Sequence, residues 1–324
     1  MNILQYGCLG TRNYGDEVSA QIIRKIYRLK YKNVKFFVVG SSLNFLTLHH
    51  SDTEYCSVSN KNQMLEFCKK ADLFVYGAGS IFNNKLMSGA KFILDNTSCP
   101  IISWGVGCGH VDNDSVGGEF INRAKAIYVR DSSIKHIKHL DKGHIHNIYD
   151  PMFLEGNISN KREFNSICIT WGLTREKDEL IEKVLDNLAS MVNNSSKDWI
   201  TIPAAWNPNN PNDDFDDDRL LHKRLATKCK IRQVTPGSFE HLSNIISRTN
   251  TLLTSRLHVG VVGYASECNV YWFGPGKNKV MAEYLNIPDR YIGNYNSFDL
   301  NKPASKFTTN KDIRDINKHL QEVM

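Results

Sequence analysis

The sequence predicts an α/β protein built from two doubly wound domains, and three observations carry that reading. Short apolar runs alternate with amphipathic segments from one end to the other. A polar stretch at 155–165, with Gly156, three asparagines and Lys161-Arg162, divides the alternation in two and reads as a linker. Glycine-rich or charged clusters recur where apolar runs end, which is where parallel sheets bind ligands. At 324 residues the chain is also long for a single core.

In the first half, strands are expected at 2–6, 34–39, 73–76, 101–104, 126–129 and 146–149. A helix is expected over 17–30, with Ile22, Ile23, Ile26 and Leu29 on one face. After the linker the alternation restarts, with strands at 167–171, 199–202, 232–234, 251–254 and 270–273. Helices are expected between them at 177–191, 217–228, 238–247 and 259–265. Ile313, Ile316, Leu320 and Val323 mark a last amphipathic helix. The domains implied are two Rossmann-like units facing a cleft, 1–155 and 156–310, with a helix at 311–324 packing back on the N-terminal domain.

The formal net charge of +6 is spread along the chain and forms no basic stripe, which disfavours nucleic acid and suits small anions or an anionic membrane surface. The eight cysteines contain no C-x-x-C pair, and several sit in apolar runs, as expected of reduced cytoplasmic thiols. Residues 1–5 open directly on a strand, without the charged and apolar regions of a signal peptide, and no run approaches a membrane span. The expected location is the cytoplasm, including the inner face of the membrane.

The most informative segment is Gly7-Cys8-Leu9-Gly10-Thr11-Arg12-Asn13-Tyr14-Gly15-Asp16-Glu17, where the first strand turns into a helix. Glycines allow close backbone approach, and a helix start offers N–H groups and a favourable dipole. Gly10-x4-Gly15 has the glycine spacing of a nucleotide P-loop, but Asp16 and Glu17 replace its lysine and hydroxyl. A carboxylate at such a turn points to chemistry as well as binding. Further clusters are Gly77-Ala78-Gly79-Ser80, Gly105-Val106-Gly107-Cys108-Gly109, Arg130-Asp131-Ser132-Ser133 and Ser255-Arg256-Leu257-His258.

Arg256, at a strand's end beside a helix start, suits bidentate contact with a carboxylate or phosphate. The alternative is a salt bridge that locks the strand to a neighbouring helix. His258 offers a proton donor or acceptor near that cation, or else a cap or a core histidine. Arg130 either binds an anion or holds sheet-edge carbonyls, and Asp131 has the position of a helix N-cap. The acidic run 213–218 reads as a solvated loop and helix start, lacking the glycine and terminal glutamate of a calcium loop. His136, His139, His144 and His146 have no cysteine or acidic partners at metal-ligand spacing, and with Lys135 and Lys138 they read as a wet basic face.

In order, Asn13-Tyr14-Gly15-Asp16-Glu17, Gly77-Ala78-Gly79-Ser80, Gly105-Val106-Gly107, Val129-Arg130-Asp131, Asp150-Pro151, Ile202-Pro203 and Arg256-Leu257-His258 resemble the polysaccharide pyruvyl transferase family. Ala78 stands where a triple glycine is common, and the stretch 7–12 is longer than the usual turn. The resemblance implies a GT-B-like fold and transfer of pyruvate from phosphoenolpyruvate to a sugar as a ketal. The N-terminal domain would then take the acceptor and the C-terminal domain the donor. Asp16, His258 and Arg256 are the expected catalytic residues. Asn13, Gly15, Glu17, Gly77, Gly79, Ser80, Arg130, Arg256 and His258 are expected to bind substrate. Phosphoenolpyruvate is a co-substrate, and no cofactor or metal is expected. The acceptor is a surface polysaccharide unit or a lipid-linked oligosaccharide, with Trp206 and Phe215 as candidate stacking residues and peripheral membrane contact in the second case. Two other readings are a GT-B glycosyltransferase using a nucleotide sugar and a non-catalytic sugar-binding protein of envelope assembly.

Overall fold

The computed structural model describes residues 1–42, 51–77, 79, 81–159, 162–170, 176–196, 198–205, 218–295, 297–298, 315–316 and 318–319. Two compact units emerge, one from the described residues of Met1–Pro151 and Ile316–Met324, the other from those of Met152–Asp315.

The first unit contains β1 (Asn2–Tyr6), α1 (Tyr14–Lys30), β2 (Lys35–Gly40), β3 (Thr53–Ser57), α2 (Lys61–Lys70), β4 (Leu73–Gly77), β5 (Ile81–Phe82), α3 (Ser88–Asn96), β6 (Ile101–Cys108), α4 (Val116–Arg123), β7 (Ala126–Val129) and β8 (Ile145–Asn147). All pairings are parallel, in the order β3-β2-β1-β4-β6-β7-β8, and β5 extends the far end of β6. The order reverses between β1 and β4. Strands such as Leu73–Gly77 are buried throughout, as expected where helices cover both faces of a parallel sheet. On one face Phe74, Tyr76, Phe82 and Phe120 form a ring cluster with centroids 5.1–6.0 Å apart.

Two local departures from sequence expectation bear on the site. Helix α1 starts at Tyr14, three residues earlier than its apolar period suggests, because the Asn13 side chain accepts from the Gly15 N–H as N-cap. Asp16 and Glu17 therefore lie in the first helical turn. Strand β6 runs through Gly105-Val106-Gly107 and does not end before them. Gly105, at φ +60°, produces a register shift against β7, and a Cβ there would fall 2.6 Å from the Pro151 ring.

The second unit contains β9 (Phe164–Thr170), α5 (Asp178–Asn193), β10 (Ile200–Thr201), α6 (Asp218–Ala226), β11 (Arg232–Gln233), α7 (Phe239–Ser247), β12 (Thr249–Thr254), α8 (Leu257–Ala265), β13 (Asn269–Trp272), α9 (Gly276–Tyr284) and a two-stranded ribbon of β14 (Gly293–Asn294) and β15 (Ser297–Phe298). Its parallel sheet has the order β11-β10-β9-β12-β13 and reverses between β9 and β12. Every residue of α8 is buried, and Gly260 and Gly263 let it press against Trp272 and Leu252.

The described residues of the polar stretch 155–165, expected as a linker, are bonded to the second unit. Glu155 accepts from the Ser243 hydroxyl, the Asn157 N–H donates to Ser266, and Gly156 packs on Ala265 so closely that a Cβ would meet it at 2.3 Å. Arg162 donates to the carbonyls of Ser247, Thr249 and Ser266. Near the C-terminus, Ile316 is buried and the His319 ring meets Tyr149 edge-on at 5.8 Å. No helix among the described residues is long and apolar enough to cross a membrane.

Candidate active site

Each unit has candidate residues where its strand order reverses, at the carboxyl ends of the two diverging strands. In the first unit these strands are β1, which leads through the glycine turn into α1, and β4, which leads into Gly79. Gly79 has φ +75°, and a Cβ on it would fall 1.7 Å from Asp16 Oδ1. The Asp16 carboxylate therefore rests on the bare Cα of Gly79, only 8% exposed. Glu17, 5% exposed, accepts from the Thr11 N–H at 3.0 Å. Burial, and then the neighbouring Asp16 charge, push its pKa up to about 7. Asn13 and Gly15 join this group through the cap. The turn itself is held by Ser41, which donates its N–H to the Leu9 carbonyl and its hydroxyl to the Gly10 carbonyl.

Of the other residues expected in this unit, Gly77 and Arg130 are placed differently. Gly77 has its α-carbon against the Trp104 carbonyl and Ile23, so its smallness serves strand and helix packing. Ser80 and Ala78 lie outside the described residues, as do Trp206 and Phe215. Arg130 follows β7, two strands from β4, and is 3% exposed. Its guanidinium lies 3.6 Å from Asp131 and 3.7 Å from Asp150, and a Cβ on Gly107 would come 3.3 Å from it. Asp131 also accepts from the Ser133 N–H at 2.9 Å, the N-cap role its sequence position suggests.

In the second unit β9 ends at Thr170 and β12 at Thr254, whose hydroxyls are 2.5 Å apart and buried. Thr254 Oγ1 also accepts from the Arg256 N–H at 3.0 Å, which turns the chain into α8 with Arg256 at the N-cap position. His258 follows in the first turn, 8% exposed. Arg256 grips Asp218 with two bonds, Nε to Oδ2 at 3.3 Å and Nη2 to Oδ1 at 2.6 Å. The salt bridge posed as an alternative for Arg256 thus exists.

Asp218 corrects the sequence reading, which placed the acidic run in solvent: its side chain is fully buried. Residues 213–217 of that run lie outside the described residues. Asp218 Oδ2 also accepts from the N–H groups of Ala204 and Ala205. Burial pushes its carboxyl above the ordinary carboxylate value, against the pull of Arg256. One turn on, His222 is 2% exposed, and burial followed by the Arg256 charge lowers its pKa to about 3, so its imidazole is neutral at physiological pH. Neither residue was singled out by motif. Their i, i+4 spacing beside the buried Leu221 and Leu225 is the one sequence signal that puts both on an inward face.

Comparison with known proteins bears on the family and the fold. The family model described as polysaccharide pyruvyl transferase matches residues 13–277. Among curated proteins no sequence matches the chain. Among solved structures, UDP-GlcNAc 2-epimerase from Methanocaldococcus jannaschii, in complex with UDP-GlcNAc and UDP, is similar at TM-score 0.60 and 12% identity, over 99% of this chain and 100% of that one. The S. aureus MnaA–UDP structure has TM-score 0.59 and 9% identity over 84% of this chain and 78% of that one. Acinetobacter baumannii MurG has TM-score 0.50 and 8% identity over 100% and 90%. These are GT-B proteins, and at such identities the likeness establishes the fold: two Rossmann-like units of the GT-B kind.

Proposed function

Because the chain belongs to the polysaccharide pyruvyl transferase family, we propose that it transfers the pyruvyl group of phosphoenolpyruvate to two hydroxyls of one sugar, releasing phosphate and leaving a pyruvate ketal. The acceptor is a repeat unit of a surface polysaccharide or its lipid-linked precursor. The observation that carries this reading is that each unit holds candidate groups at its own switch point: a buried carboxylate, Asp16, in the first, and a cation with a histidine, Arg256 and His258, in the second. All three lie within the span that the family model matches.

The second unit takes the donor. Arg256 meets its carboxylate or phosphate oxygens, and His258 gives a proton to the methylene carbon, which makes the central carbon electrophilic. The first unit takes the acceptor. Asp16, in the first turn of α1, where the helix dipole favours negative charge, removes the proton of the attacking hydroxyl. That oxygen bonds to the central carbon as the C=C π bond breaks. The C–O bond to phosphate then breaks, and a second hydroxyl of the same sugar closes the ring. Of the two hydroxyl protons, one replaces the proton given to carbon and the other leaves with phosphate. Charge developing on phosphate is met by the arginine. Glu17, poised near neutrality beside Asp16, can pass the first proton onward.

The rival reading is a nucleotide-sugar glycosyltransferase, which the UDP and UDP-GlcNAc in similarly folded proteins keep in view. Thermal denaturation separates the two: phosphoenolpyruvate raises the melting temperature and UDP-GlcNAc leaves it unchanged. The reverse pattern would overturn the proposal. Mass spectrometry of wall or capsule oligosaccharides incubated with the protein and phosphoenolpyruvate then reads the ketal directly.

A further inference from the structure

Helix α1 carries a polar stripe on its buried side. Glu17 and Arg24, 5% and 4% exposed, are seven residues apart, which places them on one face of the helix, two turns from each other. Gln5 of β1, 1% exposed, meets Arg24 from the sheet. Its Oε1 accepts from Arg24 Nη1 at 2.7 Å, and its Nε2 donates to the Ala20 carbonyl at 3.3 Å. The guanidinium is thereby tied to the turn of α1 that adjoins Glu17. Its bonded partner is a neutral amide, its Nε is buried without a hydrogen-bond partner, and among the described residues no carboxylate forms an ion pair with it. A buried cation so incompletely matched is costly, and its field reaches further than that of a surface charge because little water screens it.

The charged and titratable groups around Arg24 are Glu17, Arg28 on the next turn, Tyr55 of β3 and Asp52 just before it. Asp52 is held by Arg28 through two bonds of 2.6 and 2.8 Å. Around Glu17 stand Asp16, Arg24 and the N–H groups of Gly10 and Thr11. Burial and then Asp16 oppose the ionisation of Glu17, while the two N–H groups and Arg24 favour it. We infer that Arg24 is a positioning residue of the acceptor site: the counter-charge, set in place by Gln5, that allows Glu17 to ionise beside an ionised Asp16. This rests on the relay role of Glu17 given above. With the cation present, the carboxylate pair can take up the proton of the attacking hydroxyl near neutral pH. Without it, Glu17 holds a proton already and cannot receive one.

The test uses the full-length protein with 13C-labelled glutamate carboxyls. The Glu17 signal, identified by its loss in Glu17→Gln, is expected to titrate in the wild type with a midpoint of about 7. Arg24→Met is expected to raise that midpoint by about one pH unit, the effect of a unit charge about 10 Å away in an effective dielectric of about 20. The same rise is expected in the acid limb of the pH profile for phosphate release from phosphoenolpyruvate, with wall oligosaccharide as acceptor. An unmoved Glu17 midpoint in Arg24→Met overturns the inference. A midpoint that moves while the acid limb stays in place overturns the role of Arg24 in the reaction and leaves its hold on Glu17 established. If Arg24→Met does not fold, Gln5→Met combined with Arg24→Met, which leaves no orphaned amide, takes its place with the same expectations. Should the wild type release no phosphate, the pyruvyl-transfer reading falls, and the titration still decides whether Arg24 governs Glu17.

Discussion

Asp16 and Gly79 are complementary in shape: the carboxylate of the one occupies the space where any other residue at position 79 would carry its β-carbon. The contact joins the first turn of α1 to the end of β4 and makes the identity of residue 79 a condition for the position of Asp16. Gly79→Ala is accordingly expected to displace the carboxylate and also to pay about 1–2 kcal/mol for the left-handed backbone. Phosphate release from phosphoenolpyruvate in the presence of a polysaccharide acceptor should fall about 100-fold or more, as for Asp16→Asn. Full activity in Gly79→Ala would remove Asp16 from the role of base.

Glu17 predicts a pH dependence of stability. Its folded pKa of about 7 lies above the ordinary value of 4.5, so between those values the folded chain holds more protons than the unfolded one. The stability from this group is complete below the unfolded value and is lost as pH rises through about 7. Glu17→Gln, which keeps the acceptor for the Thr11 N–H, should remove that decline, a difference on the order of 3 kcal/mol across the window. Denaturant titrations of both proteins at about pH 4 and about pH 8 measure it.

Arg130 is buried beside Asp131 and Asp150, and Asp150 is itself fully buried. Removing the carboxylate in Asp150→Ala leaves a buried cation short of a counter-charge, and should cost about 3 kcal/mol of stability. The loss should appear equally with and without phosphoenolpyruvate. A loss that saturating ligand restores would instead tie Asp150 to the bound state.

Gly260 faces Trp272, where a Cβ would fall 1.8 Å from the indole nitrogen. Alanine gains about 1 kcal/mol in helix propensity, yet the overpacking should cost about 2–3 kcal/mol. Gly260→Ala is therefore expected to destabilise the protein and to shift α8, the helix that begins at Arg256. Thermal unfolding with phosphoenolpyruvate titration measures both effects.

The fold was largely written in periodicity. Strands β1 and β7 fall on the expected residues, and β12 with α8 surrounds the expected Arg256 and His258. Strand β3 is not legible in the sequence because Thr53–Ser57 has no apolar run and is a partly exposed edge strand. Helix α9, with buried Asn278 among its inward residues, lacks the apolar stripe that marks an amphipathic helix. In sequence Gly105 marks a turn or a bulge equally well, and only pairing with β7 distinguishes them.

The sequence by itself determined the class of the fold, its doubling and the residues with chemistry to offer: Asp16 and Glu17 behind a glycine turn, Arg256 and His258 at a strand's end. These are local facts, set by side-chain period, turn chemistry and neighbours along the chain. Which glycine receives the Asp16 carboxylate, and which of the acidic residues near 218 holds Arg256, were decided only in tertiary structure. Positions 16 and 79, like 218 and 256, are far apart along the chain and meet only because parallel strands deliver their carboxyl ends to one edge of a sheet. Burial did the rest, since the exclusion of water that moves Glu17 toward neutrality and His222 far below it comes from packing around them.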